Sequence, residues 1–424
     1  MKILVVGGGG REHAIVRALA RSERSPELLA APGNAGIAAD ARCLDAGASD
    51  VGAIVDAARA EAVDLVVVGP EAPLVAGAVD ALAAEGIAAF GPSGAAAAIE
   101  GSKLHAKELM RAAGVPTAGH AVLRSRDEAL EHLSCASYPA VLKADGLAAG
   151  KGVVIATTEA EAREAVEVFF VERRFGETSV LLEEHLEGEE LSLLAICDGE
   201  HVVPLAPAQD YKRIGEGDTG PNTGGMGSYS PVPGFEGGYA DEVADLVHRP
   251  VVDLMASRGT PFAGVLYAGL MITESGPKVL EFNCRFGDPE TQAVLPRLRS
   301  DLVDLCLASA EPGGLAGARA EFADEWAVTV VLASAGYPAS SSEGDVISGL
   351  AAAAAIAEIT HAGTATEGGE FVTAGGRVLN VTGLGPDPAA ARDRAYEAVA
   401  QIDFDGMQVR NDIAARAVER VVAG

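Results

Sequence analysis

The chain has 424 residues, 49% of them hydrophobic and 22% charged, the balance of a globular protein with more than one core. A formal net charge of −29 excludes a broad nucleic-acid or anionic-membrane surface, and 4% aromatic content offers little for base stacking. Anionic ligands must therefore be held locally, by Lys, Arg and backbone N–H groups. The five cysteines, at 43, 135, 197, 284 and 306, form no CxxC pair and no zinc spacing, so a reduced compartment is expected. Met1-Lys-Ile-Leu-Val-Val-Gly7 runs straight into a strand without the marks of a signal peptide, and no apolar run reaches the length of about 18 residues that a membrane helix needs. A cytoplasmic protein is the expectation.

Strand and helix patterns alternate over residues 1–100: strand Lys2–Val6, turn Gly7–Gly10, helix Glu12–Ser22, strand Asp64–Val68, helix Leu74–Glu85 and strand Ile87–Phe90. Such alternation predicts a parallel sheet with covered faces, whose ligands sit at the carboxyl ends of strands. Gly7–Arg11, Pro32–Gly36 and Gly69–Pro73 are loops of that kind. A helix opens at Gly101-Ser102-Lys103 and closes at Gly114-Val-Pro116. A smaller α/β unit follows, with strands Ala140–Lys143, Val153–Ala156 and Ser179–Glu183 and helix Glu159–Phe170. Residues 191–325 hold several strands, a Gly- and Asn-rich loop at 215–227 and a long helix near 241–258. The last segment reads as strands near Trp326–Ala333, Phe371–Val372 and Arg377–Gly383, with helices near Pro388–Ile402 and Ile413–Val422. The alanine run 351–355 reads as core helix or compositional bias.

Val5-Val-Gly-Gly-Gly-Gly-Arg-Glu-His13 is not a dinucleotide fingerprint, because GxGxxG would require Gly where Glu12 or His13 stands. Its Gly-rich strand-to-helix turn still suits a phosphate or small ligand, with Gly8, Gly9, Gly10 and Arg11 as candidates and His13 beside them. Lys143-Ala-Asp-Gly-Leu-Ala-Ala-Gly-Lys-Gly152 is not a Walker A loop: Gly146 and Gly150 enclose three residues, and Gly152, not Ser or Thr, follows Lys151. A glycine hairpin with a lysine at each end can nonetheless close over a triphosphate. In Leu181–Glu190, the backbone of Glu183, Glu184 and Leu186 would face an adenine, and Glu189 or Glu190 would accept ribose hydroxyls. Gln209–Arg213 and Gly220–Gly227 frame a polar loop. There Asp210, Lys212, Asn222, Thr223, Gly225 and Met226 are candidate substrate contacts, through an Asp210 carboxylate and free N–H groups of Thr223–Gly227. In Glu281-Phe-Asn-Cys-Arg-Phe-Gly-Asp-Pro289, period-two spacing turns Glu281, Asn283 and Arg285 to one side. One carboxylate and one amide oxygen suit Mg²⁺ shared with nucleotide phosphates, and the guanidinium suits a carboxylate or phosphoryl group.

These motifs, with Ala31–Gly36, Gly69–Leu74 and Arg285-Phe-Gly-Asp-Pro-Glu290, run the length of the chain, which resembles the phosphoribosylamine–glycine ligases of the ATP-grasp superfamily. The resemblance implies a multidomain α/β fold: an N-terminal parallel-sheet domain over 1–102, a connector over 103–120, a mobile B subdomain over 121–190, the ATP-grasp core over 191–325 and a C-terminal domain over 326–424. It implies ATP-dependent ligation of glycine to 5-phosphoribosylamine through glycyl phosphate, with ADP and phosphate released, by a monomer acting on small molecules alone and carrying this one activity. Glu281 and Asn283 would hold Mg²⁺ or Mn²⁺. Lys103 and Lys143 would neutralise the phosphates under a lid formed by Gly146, Gly150, Lys151 and Gly152. Arg285 would hold the glycine carboxylate or its acyl phosphate, and Asp288 or Asp210 its ammonium. Gly8, Gly9, Gly10, Arg11, Asn34 and Glu71 would hold phosphoribosylamine. One departure is that Leu266–Met271, the strand before the motif, lacks the acidic metal ligand common in the superfamily. The alternatives are a ligase for another acid or amine, an NAD-dependent oxidoreductase, or a nucleotide sensor. The missing third glycine opposes the second, and the intact Glu281, Asn283 and Arg285 oppose the third.

Overall fold

The computed structural model describes residues 1–147 and 152–423. Its first sheet has five parallel strands in the order Arg42–Cys43, Glu27–Pro32, Lys2–Gly7, Leu65–Val68, Ala88–Phe90. Ile3, Leu4, Val5, Val6, Leu65, Val66 and Val67 are all fully buried, as expected of strands covered on both faces. The loops after Gly7, Pro32 and Val68 therefore open at one edge, as the pattern predicts. The helix expected over Leu74–Glu85 is instead two, Glu71–Val75 and Ala78–Ala84. Gly77 between them sits at φ +83°, a left-handed conformation that breaks the helix and that glycine alone adopts cheaply.

A second, antiparallel sheet orders His120–Leu123, Val180–Glu184, Ala140–Ala144 and Val153–Ala156, and packs its own small core of Leu123, Leu133, Leu142, Val166, Phe169 and Val180. The Gly-rich hairpin springs from its Ala140–Ala144 and Val153–Ala156 strands, and its tip, including Gly150 and Lys151, lies outside the described residues. A third sheet orders Val202–Pro204, Glu189–Asp198, Ala263–Thr273 and Gly276–Asn283, all antiparallel. The helix Lys103–Ala113 lies against the last strand's side of this unit, capped by Ser102, whose Oγ accepts the His105 N–H at 3.1 Å.

The fourth sheet joins both sides of residue 325. Its order is Gln209–Asp210, Gly227–Ser230, Trp326–Ala333, Arg377–Gly385, Glu358–His361. The region 215–227 is not loop throughout, because Arg213–Gly215 pairs with Thr219–Asn222 as a hairpin. The alanine run is helical at Leu350–Ala354, but of these residues only Ala353 is buried, so it is not core. Poly-alanine carries no amphipathic pattern from which a buried face could be read. No helix among the described residues is long and apolar enough to cross a membrane.

Candidate functional site

The strand Gly276–Asn283 sets Glu281 opposite Gly269 and Asn283 opposite Tyr267, with a register shift between Gly269 and Leu270. A Cβ on Gly269 would come within 3.3 Å of Glu281 Cγ, so the small neighbour gives the carboxylate its room. Burial pushes the Glu281 carboxyl up, but Lys212, Lys143, Lys103 and Arg285 outweigh it and hold the group below the usual range. Four cations thus converge on one carboxylate in a chain of net charge −29. That local surplus is what a polyphosphate would neutralise.

Each cation is held from a different element. Lys103 donates to the Gly146 carbonyl at 2.8 Å, which ties the foot of the hairpin to the helix start. Burial lowers its pKa, with Glu281 opposing. Lys143 donates to the Leu280 carbonyl at 3.0 Å and pairs with Glu183 at 2.9 Å. Glu183 also pairs with Lys107 at 3.1 Å, so its buried side chain is spent on two lysines, and its backbone lies in the ladder of the second sheet. Glu184 likewise accepts the Gly119 N–H at 2.9 Å, while Leu186 lies in the link between the second and third sheets. The Gly152 carbonyl accepts from Ala144 N at 2.8 Å.

Lys212 pairs with Glu190 at 2.5 Å and stands 4.0 Å from Asp210. Burial pushes the Asp210 carboxyl up to about 7; Lys212 opposes this, and Glu290, Glu190 and Glu281 add to it. Glu189 turns elsewhere, to Arg420 at 2.7 Å and Gln209 at 3.1 Å. Of the two adjacent glutamates, only Glu190 joins the cluster. Glu290 is buried and accepts from Tyr267 Oη at 2.9 Å and Ser192 Oγ at 3.1 Å.

Arg285 lies between Glu71 at 3.2 Å and Glu100 at 3.4 Å, with Asn283 Oδ1 at 3.5 Å from its Nη2. Burial would lower its pKa, but Glu100 and Glu71 outweigh that and fix the charge. Burial raises the Glu100 carboxyl, whose Oε2 accepts the Cys284 N–H at 2.7 Å.

A second convergence lies at the carboxyl edge of the first sheet. Glu12 accepts the Gly9 N–H at 2.7 Å and the Arg11 Nε–H at 2.5 Å, and Arg11 reaches the Phe286 carbonyl at 3.3 Å. Gly8 and Gly10 admit no side chain, since a Cβ would strike Gly33 O or Asn380 Nδ2. Asn34 donates to the carbonyls of Gly8 at 2.9 Å and His361 at 2.8 Å and accepts from Gly36 N and Ile37 N, so it ties three segments together. His13 is also engaged: its Nδ1 accepts the His361 N–H at 2.8 Å, which leaves the Nε2 proton for Asp40 at 2.9 Å. It is a neutral structural histidine, not a ligand contact.

The N–H groups expected to be free in Thr223–Gly227 are not free from Thr223 to Met226. Thr223 N donates to Lys212 O, Gly224 N to Tyr337 Oη, Gly225 N to Thr223 Oγ1 and Met226 N to Tyr211 O, at 2.7–2.9 Å. A glycine-rich loop can consume its own donors, which composition does not reveal. Asn222 ends the hairpin strand opposite Arg213. Asp288 pairs with Arg377 at 3.0 Å and accepts from Gln292 Nε2 at 2.8 Å, and its Oδ2 lies 3.8 Å from where a Cβ on Gly9 would stand.

Three descriptions of one family match in order: Phosphoribosylglycinamide synthetase, N domain, over residues 1–100; its ATP-grasp (A) domain over 101–291; its C domain over 327–416. The chain belongs to the phosphoribosylglycinamide synthetase family. It is 52% identical to a phosphoribosylamine–glycine ligase of Streptomyces coelicolor, over 98% of this chain and 99% of that one. The Rhizobium meliloti protein of the same name is 48% identical over 100% of both. Among solved structures, phosphoribosylamine–glycine ligase from Thermotoga maritima superposes with TM-score 0.85 at 33% identity, covering 98% of this chain and 100% of that one. The biotin carboxylase domain of a Hydrogenobacter thermophilus 2-oxoglutarate carboxylase, solved with MgADP and bicarbonate, gives TM-score 0.69 at 19% identity over 96% of this chain and 91% of that one, a likeness of fold alone.

For this synthetase family member, the donors near Glu281 fit a hard cation that keeps waters and takes phosphate oxygens. An ionised carboxylate and an amide oxygen lie two residues apart, and no third acidic, His or Cys ligand completes a protein cage among the described residues. Sequence reasoning missed Glu100, Lys107, Glu290, Tyr337 and Arg377. Glu100 carried a faint signal, as the one charge in the apolar helix Gly94–Gly101. Lys107 shares the buried helix face of Ala106 and Met110, and an unexplained lysine there was a usable hint. Tyr337 and Arg377 carried none, being single residues far along the chain.

Proposed function

We propose that this protein joins glycine to 5-phosphoribosylamine at the expense of ATP, releasing ADP and phosphate, in the synthesis of purines. It is a ligase of the ATP-grasp type that uses ATP and a divalent metal ion, and our reading makes that ion Mg²⁺, with Mn²⁺ as substitute. The observation that carries the reading is the convergence of Lys103, Lys143, Lys212 and Arg285 on Glu281 within a family member matched along its length. We read the units as 1–102, 103–120, 121–190, 191–325 and 326–424, acting as a cytoplasmic monomer.

A carboxylate and an amine do not condense in water at neutral pH. In our reading a glycine carboxylate oxygen attacks the γ-phosphorus, the bond to the β-bridging oxygen breaks and ADP leaves. The amine of phosphoribosylamine then attacks the acyl carbon, the carbon–oxygen bond breaks, phosphate leaves and the nitrogen gives up a proton. Two steps of lower barrier replace one of high barrier. Phosphoryl transfer asks for positioning and charge neutralisation, which Lys103 and Lys143 supply from two elements. Glu281 and Asn283 would hold the metal, whose charge would offset that of the phosphates when bound. In our reading Glu190 would accept ribose hydroxyls, and the Gly-rich segment 146–152, with Gly146, Gly150, Lys151 and Gly152, would cover the acyl phosphate from water. Asp210, held near neutrality, would receive the glycine ammonium beside Lys212 and Glu190. Arg285, fixed by Glu71 and Glu100, would face the glycine carboxylate. Gly8, Gly9, Gly10, Arg11, Asn34 and Glu71 shape the phosphoribosylamine side, with Asn222, Thr223, Gly225 and Met226 building its opposite wall.

Hydroxylamine tests the intermediate. With ATP, glycine and Mg²⁺ but no phosphoribosylamine, glycine hydroxamate should accumulate with ADP. ADP formation without hydroxamate would rule out glycyl phosphate.

A further inference from the structure

Arg377 lies on the strand Arg377–Gly385, far along the chain from every motif of the site. Yet its guanidinium reaches three acceptors there. Nη1 donates to the Gly224 carbonyl at 2.6 Å and the Asp288 carbonyl at 2.9 Å, and Nη2 pairs with the Asp288 carboxylate at 3.0 Å. The same loop is gripped again by Tyr337, whose Oη accepts the Gly224 N–H at 2.8 Å. Gly224 and Gly225 are pressed close on either side: a Cβ on Gly224 would sit 3.0 Å from Arg377 Cζ, and one on Gly225 would strike Pro289. Asp288 is thereby held from two directions, by Arg377 and by Gln292, which is itself buried. The oxygen that Arg377 holds, Oδ2, also lies beside the first Gly-rich turn, 3.8 Å from the position of a Cβ on Gly9.

We propose that Arg377 is a positioning residue for the amine substrate: it aims the Asp288 carboxylate at the Gly8–Gly10 turn and locks the Thr223–Gly225 loop as the facing wall. Asp288 then serves phosphoribosylamine and not the glycine ammonium, which leaves Asp210 for glycine. The inference rests on the ligase reading above and deepens it. The physical reason for an arginine is geometric. A planar fork can bridge a backbone carbonyl and a carboxylate of one residue while also holding a second loop, whereas a lysine offers a single point of charge. In this account the segment 326–424 completes the amine site and does not merely buttress it.

The test compares Arg377→Met and Arg377→Lys with the unaltered protein, measuring KM for phosphoribosylamine, glycine and ATP separately, with thermal midpoints alongside. Arg377→Met should raise KM for phosphoribosylamine by about tenfold or more, the size of one lost charge-assisted hydrogen bond, with the other two constants within about twofold. Arg377→Lys should recover part of that loss, and it carries the test should the methionine variant fail to fold. Equal shifts in all three constants, or a change in thermal midpoint without any change in KM, would overturn the proposal. Failure of the unaltered protein to require phosphoribosylamine would instead overturn the ligase reading, so the two failures are distinguishable.

Discussion

Lys107 and Lys143 pair with the same buried carboxylate, Glu183, at 3.1 and 2.9 Å, and their side chains are 3% and 8% exposed. Only Lys143 also acts on Glu281. Replacing either by Met should therefore cost similar stability but unequal activity. At 2.9 Å and an effective dielectric near 20, one such pair has a gross attraction of about 6 kcal/mol. Most of that offsets the desolvation of the two ions, and Glu183 keeps its second lysine in each variant, so the net cost is about 2 kcal/mol. In the domain over 101–291, which holds both lysines, that lowers the melting midpoint by about 4–8 °C. Activity should divide the two variants. Lys143→Met removes a cation from the cluster on Glu281, the phosphate site we propose, and should lower kcat/KM for ATP by about a hundredfold, near 2.7 kcal/mol of transition-state stabilisation. Lys107→Met should lower it less than about tenfold. Thermal melts and steady-state ADP release on both proteins are the assay. Equal losses of ATP efficiency in the two variants would refute the reasoning, because both lysines would then act only through Glu183.

Acid should loosen the protein through its buried histidines. Burial depresses His248 and His361 to about 4 and lowers His13, so below the ordinary value of 6.5 the unfolded chain takes up protons that the folded one refuses. Their contribution is intact above pH 6.5 and is lost as pH falls toward 4, by about 2 kcal/mol each for His248 and His361 at pH 5; a melting midpoint unchanged between pH 7 and 5 would contradict this. Glu190→Gln should raise KM for ATP severalfold, whereas Glu189→Gln should leave it unchanged and lose only the link to Arg420; equal kinetic effects would contradict the split of these neighbours. Asn34→Ala strands the Gly8 and His361 carbonyls and the Gly36 and Ile37 N–H groups, so about 2–3 kcal/mol of stability and much of the affinity for phosphoribosylamine should go together. Full affinity in a destabilised Asn34→Ala protein would separate the loop from the site.

The first sheet was legible because parallel strands such as Leu65–Val68 are continuous apolar runs closed by Gly-Pro turns. The side-sharing of Glu281, Asn283 and Arg285 was legible because strand periodicity leaves no freedom in which residues alternate. Three things were hidden, each for a physical reason. Gly77 splits a helix at φ +83°, a conformation that glycine permits but does not demand, so the residue type alone does not mark the break. The Thr223–Met226 N–H groups look free in a Gly-rich string, but Tyr337, Tyr211, Lys212 and the Thr223 hydroxyl take them, and the Tyr337 contact spans 113 residues of sequence. The fourth sheet pairs Gly227–Ser230 with Trp326–Ala333, a contact at long sequence separation that local patterning cannot carry. Arg377 follows from that sheet and was invisible for the same cause.

The central claim is that the cation cluster around Glu281 transfers the γ-phosphoryl of ATP to glycine for capture by phosphoribosylamine. Its most direct test is ADP release with each component omitted in turn. Sustained release should require glycine, phosphoribosylamine and a divalent cation together. Release at an equal rate with glycine left out would contradict the claim.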